Sequence, residues 1–316
     1  MSAVTERLAY IEKPSAVDSK SYTHSCLPVN GATFSPGSII RIDIPCSGHG
    51  QYLDSQNSYL KFTINNLSQN SGSNEIISID GHASSFINRL MVLYSGYTLE
   101  DINSYNEIHS ILFDNNISYD ERRTLHSITA GTNASDTVRT GAAIAAGGSL
   151  TVFVPLISQV LGLNADKYIP LGKMTASDSL RLELTLENAG IPVLCANAGG
   201  SGQFSVTDVE YVAQIVKLSD EAESMVSRST GGVYRVHGDT FRSFNVTVNS
   251  GVNSASINVP VKVSTLKTVF VSHRAQASTT NNQGHYITGR DRADMTEFYL
   301  QVGSVRLPQK PILWTI

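Results

Sequence analysis

Eight histidines, at positions 24, 49, 82, 109, 126, 237, 273 and 285, are the residues of this chain best suited to metal ligation or proton transfer. Their spacing supports neither. No HxH pair and no HExxH signature occurs, so no imidazole pair is offered to hold zinc and activate its water. The GxSxG elbow, the GxxxxGK[ST] phosphate loop and the GxGxxG dinucleotide fingerprint are also missing. The cysteines Cys26, Cys46 and Cys195 are odd in number and form no CxxC, which reads as buried or neutral free thiols, with one disulfide left open. Two carboxylates brought together from distant strands could hydrolyse a glycoside, and spacing cannot show such a pair. Aromatic content of 8% with a single tryptophan, Trp314, disfavours the stacked-ring sites of glycosidases and lectins. Neither a metal nor a cofactor is expected.

Contact chemistry is better represented. "YDERRTL" at 119–125 and "GRDRAD" at 289–294 concentrate charge in short polar stretches. Each alone reads as a solvated turn with ion pairs worth ~0–1 kcal/mol. The alternative is a salt-bridged subunit boundary, which makes Arg122, Arg123, Arg290 and Arg292 candidate contact residues. A net charge of −4 and a pI near 6.1, without a basic stripe, argue against direct nucleic-acid binding. Residues 1–10 include Glu6 and Arg7 and lack an apolar core, so no signal peptide is read and synthesis in a cytoplasm is expected. No apolar run approaches the ~20 residues that cross a bilayer.

The elements that must position these residues read mostly as strands. "SIIRIDIPC" places Ile40, Ile42 and Ile44 on one face, "SYLKFTINN" does the same with Leu60, Phe62 and Ile64, and "SLRLELTLEN" with Leu180, Leu182, Leu184 and Leu186. "SFINRLMVLYS" is nearly continuous in apolar residues and reads as a strand buried on both faces. One exception stands out. After Ser95-Gly96, helical spacing links Ile102, Tyr105, Ile108, His109 and Leu112, with Asp101 or Asn103 as the expected N-cap. His109 on that stripe reads as a packed residue rather than a ligand. The stripe itself needs a partner surface, either the core of its own sandwich or a subunit seam, so Tyr105 and Leu112 join the candidate contacts. Ser219, followed by Asp220, Glu221 and Glu223 and closed by Gly231-Gly232, reads as a capped linker helix.

Beyond it strands are expected again, at "VYRVHG", "FRSFNVTVN", "SINVPVKV", "KTVFVSHR" and "EFYLQVGSVRLP". The expected organisation is all-β: an arm over 1–35, a first antiparallel jelly roll over 36–218, and a linker helix with a second jelly roll over 219–316. The second, with about 98 residues by this division, looks short. Two long small-residue or polar loops, 127–149 and 275–294, are expected to make contacts or stand exposed.

Several stretches, in this order, resemble the double jelly-roll major capsid proteins of tailless icosahedral DNA viruses. They are "GQYLDSQNSYLKFTINN", "FINRLMVLYSGYTLEDINSYNEIHSILFD", "VPLISQVLGLNADKYIPLGKMTASDSLRLELTLE" and "FYLQVGSVRLPQKPI". Each is a pattern of apolar and small residues covering, together, about a third of the chain. In that family the chain runs on well past the last stretch, so the second roll is expected to be short or incomplete here.

The resemblance implies a structural, non-enzymatic protein. Its partners would be itself, as a homotrimer with a pseudo-hexagonal outline, then neighbouring capsomers in an icosahedral shell, with minor capsid or penton proteins beside it. An internal membrane beneath the shell stays open. Its location would be the virion, after synthesis in the host cytoplasm. The competing readings are a β-sandwich receptor- or carbohydrate-binding module of the spike or penton kind and, behind it, a polysaccharide hydrolase.

Overall fold

In a computed structural model the chain is described over residues 18–46, 48–116, 118, 120, 129, 140–175, 178–249, 251–261, 263, 265–274, 282–290 and 295–313. Period-two alternation builds most of it. The strands are β1 (Ser19–Cys26), β2 (Thr33–Phe34), β3 (Ile39–Pro45), β4 (Gln51–Asn66), β5 (Gln69–Asn70), β6 (Ser73–Asn74), β7 (Ile77–Asp80), β8 (Ile87–Tyr94) and β9 (Tyr97–Asn103). Helix α1 (Tyr105–Asn116) follows, then β10 (Thr140–Ile144), β11 (Ser149–Val154), β12 (Ser179–Leu186), β13 (Val193–Cys195) and β14 (Phe204–Leu218). Helix α2 (Asp220–Thr230) and the hairpin β15 (Glu297–Val302) and β16 (Val305–Leu313) complete the described elements.

Two antiparallel sheets face each other. One has the order β1-β14-β4-β11, with β2 also paired to β14; the other has the order β3-β12-β8-β9. The chain passes from β3 to β4, from β11 to β12 and from β12 to β14, changing sheet each time, which is the wrapping of a jelly roll. Sharp alternation explains the core. Along β12 every second residue is buried, and Leu182 stands opposite Ile42 on one side and Val92 on the other. From the opposing sheet Leu60, Phe62, Ile64, Val152, Val154 and Tyr211 meet them. Burying one such side chain contributes about 1.5–3 kcal/mol, so the sandwich interior dominates stability. On the outer face of β3, β12, β8 and β9 the intervening residues form cross-strand pairs: Arg181 with Asp43 at 2.8 Å, Arg41 with Glu183 at 3.0 Å and Arg89 with Asp101 at 2.8 Å. These are partly solvated and set register more than stability.

Four differences from the sequence expectations follow. Residues 19–26 do not belong to an arm outside the fold; β1 pairs with β14 over its whole length. Strand β8 is buried on one face only, because residues such as Arg89 and Met91 lie on the face turned from the sandwich interior. The helix starts later than its apolar spacing implies. Ile102 and the expected caps Asp101 and Asn103 lie in β9, and Asp101 instead pairs with Arg89. The backbone carbonyl of Ser104 accepts from the Glu107 and Ile108 N–H groups at the helix start.

The fourth difference concerns the second half. The strands expected at 233–238, 241–249, 256–263 and 267–274 carry no ladder among the described residues, apart from an isolated bridge between Ala165 and Gly238. Val246, Val248, Ile257, Val259, Val261, Val263, Val269 and Val271 are exposed. The physical reason is that no described sheet of this chain lies over them. Among the described residues of this half only β15–β16 forms a ladder, turning at Gly303 with its positive φ. The described fold is therefore all-β, with one complete sandwich. The linker helix does form as read: the Ser219 hydroxyl accepts from the Ala222 N–H, and Gly231 closes the helix in the left-handed region.

Candidate functional site

Helix α1 is the centre of the residues expected to make contacts. It enters from β9 through Ser104, which takes a positive φ of 50°, and lies against the end of the sandwich. Tyr105 is fully buried, and its hydroxyl oxygen accepts from the Ile157 N–H at 2.8 Å. Burial drives the Tyr105 phenol above its ordinary range, opposed by that hydrogen bond. Ile108 and Phe113 are buried beside it and Leu112 is half-buried against the core. Tyr105 is therefore packed in the core of its own sandwich, and Leu112 faces the same core with part of its surface open.

The apolar stripe continues into a ring cluster. His109 stacks on Phe113 with centroids 5.6 Å apart, and the His82 ring sits 3.8 Å from that of Phe113. The Ser84 hydroxyl lies 2.9 Å from His109 Nδ1. His109 is thus a packed, hydrogen-bonded residue, as its position on the stripe implies. Among the described residues no group of three or more His, Cys, Asp or Glu side chains is placed to hold a metal ion.

The solvent side of α1 is met by the second half of the same chain. Arg290 donates to Asp114 Oδ2 at 2.7 Å and to the Ser110 hydroxyl at 3.1 Å. Arg274 pairs with Glu107 at 2.7 Å and donates to the Tyr286 carbonyl at 2.9 Å. Burial pushes the Glu107 carboxyl up, with Arg274 pulling the other way. Asn245 donates to the Ser104 hydroxyl at 2.7 Å. The helix is a seam between the two halves of one chain. Of the charged candidates, Arg290 is used within that seam; Arg122, Arg123 and Arg292 lie outside the described residues.

Two buried carboxylates that spacing could not single out support the seam. Glu100, on β9, accepts from the Ser158 hydroxyl and from the Gln159 N–H at 3.1–3.2 Å. No cation faces it in these contacts, and burial raises its pKa while the hydrogen bonds restrain the rise. Glu223, on α2, accepts from the Tyr52 hydroxyl at 2.7 Å and pairs with Lys173 at 2.6 Å. Burial alone would raise the Glu223 carboxyl, but Lys173 and Tyr52 hold it below the ordinary range. This pair anchors the linker helix to β4 and the loop before β12. The only hint in the sequence was the acid-led start of α2, which explains the dipole but not the buried partner.

The three thiols are buried and unpaired with one another, and burial pushes each upward. That agrees with inert core cysteines.

No protein-family model matches the chain, and no curated protein matches it. Among solved structures it is similar to PBCV-1 VP54, fitted into a reconstruction of the virophage Sputnik, at 12% identity and a TM-score of 0.45, covering 67% of this chain and 46% of that one. It is similar to the Faustovirus major capsid protein at 9% identity and a TM-score of 0.47, covering 72% and 58%. A Sputnik virophage structure aligns at 12% identity and a TM-score of 0.37, covering 69% and 52%. The chain spans about half the length of these solved chains.

Proposed function

We propose that this chain is a structural subunit of a viral capsid of the double jelly-roll kind, acting by association with copies of itself rather than by catalysis. One observation carries the reading. A sealed jelly-roll sandwich is followed, across a seam pinned by α1, by a half whose alternating valines and isoleucines are exposed. Alternating apolar residues without cover favour association, because each buried side chain contributes about 1.5–3 kcal/mol on removal from water. The order of the four stretches that resemble this family supports the same reading.

In this account the subunits form trimers with a pseudo-hexagonal outline, and trimers meet neighbouring capsomers in the virion shell. Arg122, Arg123 and Arg292 are the proposed charged contacts between subunits. Minor capsid or penton proteins would complete the shell, over an internal membrane where the particle has one. The acidic balance leaves genome contact to other components. The first roll is assigned to 36–218, joined by β1, and the second module to 219–316.

Light scattering coupled to size exclusion tests the proposal. A species near three times 34.1 kDa, or a larger closed shell, is expected. A strictly monomeric protein over a wide concentration range overturns it.

A further inference from the structure

Residues 282–290 lie within one of the two loops expected to make contacts or stand exposed, yet Asn282, Tyr286, Ile287 and Thr288 are buried. They lie on the small sheet β10-β7-β13 at the flank of the sandwich. The fastening is concentrated on one carboxylate. Asp80, at the end of β7, is fully buried; its Oδ2 accepts from the Ile287 N–H at 2.7 Å and the Thr288 N–H at 3.4 Å, and its Oδ1 accepts from the Thr288 hydroxyl. His285 Nδ1 lies 2.9 Å from the same Oδ1 and donates there in the tautomer that carries that proton. At the other end the Cys195 N–H donates to the Asn282 carbonyl at 2.6 Å, and the Asn282 amide donates to the Gly200 carbonyl at 2.6 Å.

The seat is shaped for this segment. Gly81 and Gly190 both have positive φ, and a Cβ on either would come within 2.5 Å of the strap, at Thr288 and Asn282 respectively. So two backbone sites are kept free of side chains where the strap crosses, and a buried anion waits between them for its donors.

We propose that residues 282–290 form a latch, with Asp80 as its catch, that holds the second half of the chain on the first sandwich and opens as a unit while the sandwich stays folded. Its bonds are separate from the leucine and isoleucine core, so the latch is the lower-cost opening. Replacing a carboxylate that accepts several hydrogen bonds by an amide weakens them together. The inference stands apart from the assembly reading and is read by a different measurement.

The reporter is native. All three thiols are buried in the same apolar core, but Cys195, on β13, lies under Asn282, whereas Cys26 is on β1 and Cys46 directly follows β3, in the two main sheets. Pulsed alkylation of the full chain under native conditions, read by peptide mass spectrometry, follows all three thiols. Asp80→Asn is expected to speed labelling of Cys195 roughly ten- to hundredfold, the effect of losing charge-assisted hydrogen bonds, with Cys26 and Cys46 unchanged. Asn282→Ala, at the far end of the strap, is expected to act in the same direction and keeps the test decisive if Asp80→Asn does not fold. Simultaneous labelling of all three thiols in Asn282→Ala, or Cys195 remaining protected in both folded variants, overturns the latch.

Discussion

At the scale of single residues, the seam is held by groups whose chemistry is set by burial. Glu100 is 2% exposed and accepts from the neutral Ser158 hydroxyl and Gln159 N–H. Its folded pKa is raised, so ionising it costs stability. The sign is that of an elevated carboxyl: the favourable protonated state is complete below the unfolded value near 4.5 and is lost as pH rises through the folded value. Glu100→Gln keeps an acceptor for Ser158 and removes the charge. The expected outcome is a flatter dependence of the urea midpoint on pH above about 4.5, with the wild type the steeper of the two. Tyr105 tests the other polar contact. Tyr105→Phe strands the Ile157 N–H and is expected to cost about 1–3 kcal/mol in denaturant unfolding. Tyr105→Ala is expected to cost about 3–5 kcal/mol, and Leu112→Ala, at a half-buried site, about 1–2 kcal/mol. A larger loss for Leu112 than for Tyr105 would reverse the assignment of Tyr105 to the core.

At the scale of elements, strands such as β3, β4 and β12 were legible because alternation maps directly onto two faces of a sheet. The helix was legible in kind but not in extent. Ile102 fits a helical stripe by spacing, but its backbone is claimed by the ladder between β9 and β8, where it pairs with Leu90. Local periodicity cannot register a ladder partner twelve residues away. The linker helix shows the reverse case. Its cap and its glycine stop are local and were legible, whereas its anchor, Glu223 against Tyr52 and Lys173, joins residues up to 171 apart. The carboxyl of Glu223 is held below its ordinary value, so the anchor is present above the unfolded value near 4.5 and is lost as pH falls through the folded value. On acidification, proteolytic cleavage near α2 is expected to rise before the sandwich unfolds. Glu223→Gln is expected to show the same cleavage without the pH dependence; equal acid sensitivity in both proteins would remove Glu223 from the account.

At the scale of the whole molecule, the proposed function rests on the exposed valines and isoleucines of the second half driving association. Replacing Val246, Val248 and Val259 by threonine keeps β-propensity and shape while removing apolar surface. The triple variant is expected to lower concentration-dependent association by about tenfold or more in sedimentation velocity, about 1.4 kcal/mol, without changing the unfolding midpoint of the sandwich. Unchanged association would place the contact elsewhere. By itself the sequence determined the all-β class, the buried faces of β3, β4 and β12, the helix that follows the Ser95-Gly96 turn and the capped linker helix. Each of these depends on neighbours a few residues apart. Only the tertiary structure decided that β1 completes the first sheet, that α1 spends Tyr105 on its own core, that Arg290 and Arg274 join the two halves of one chain and that residues 282–290 close over Asp80. Those outcomes depend on contacts between residues tens to hundreds of positions apart, and a one-dimensional pattern carries no term for the surface that covers a strand.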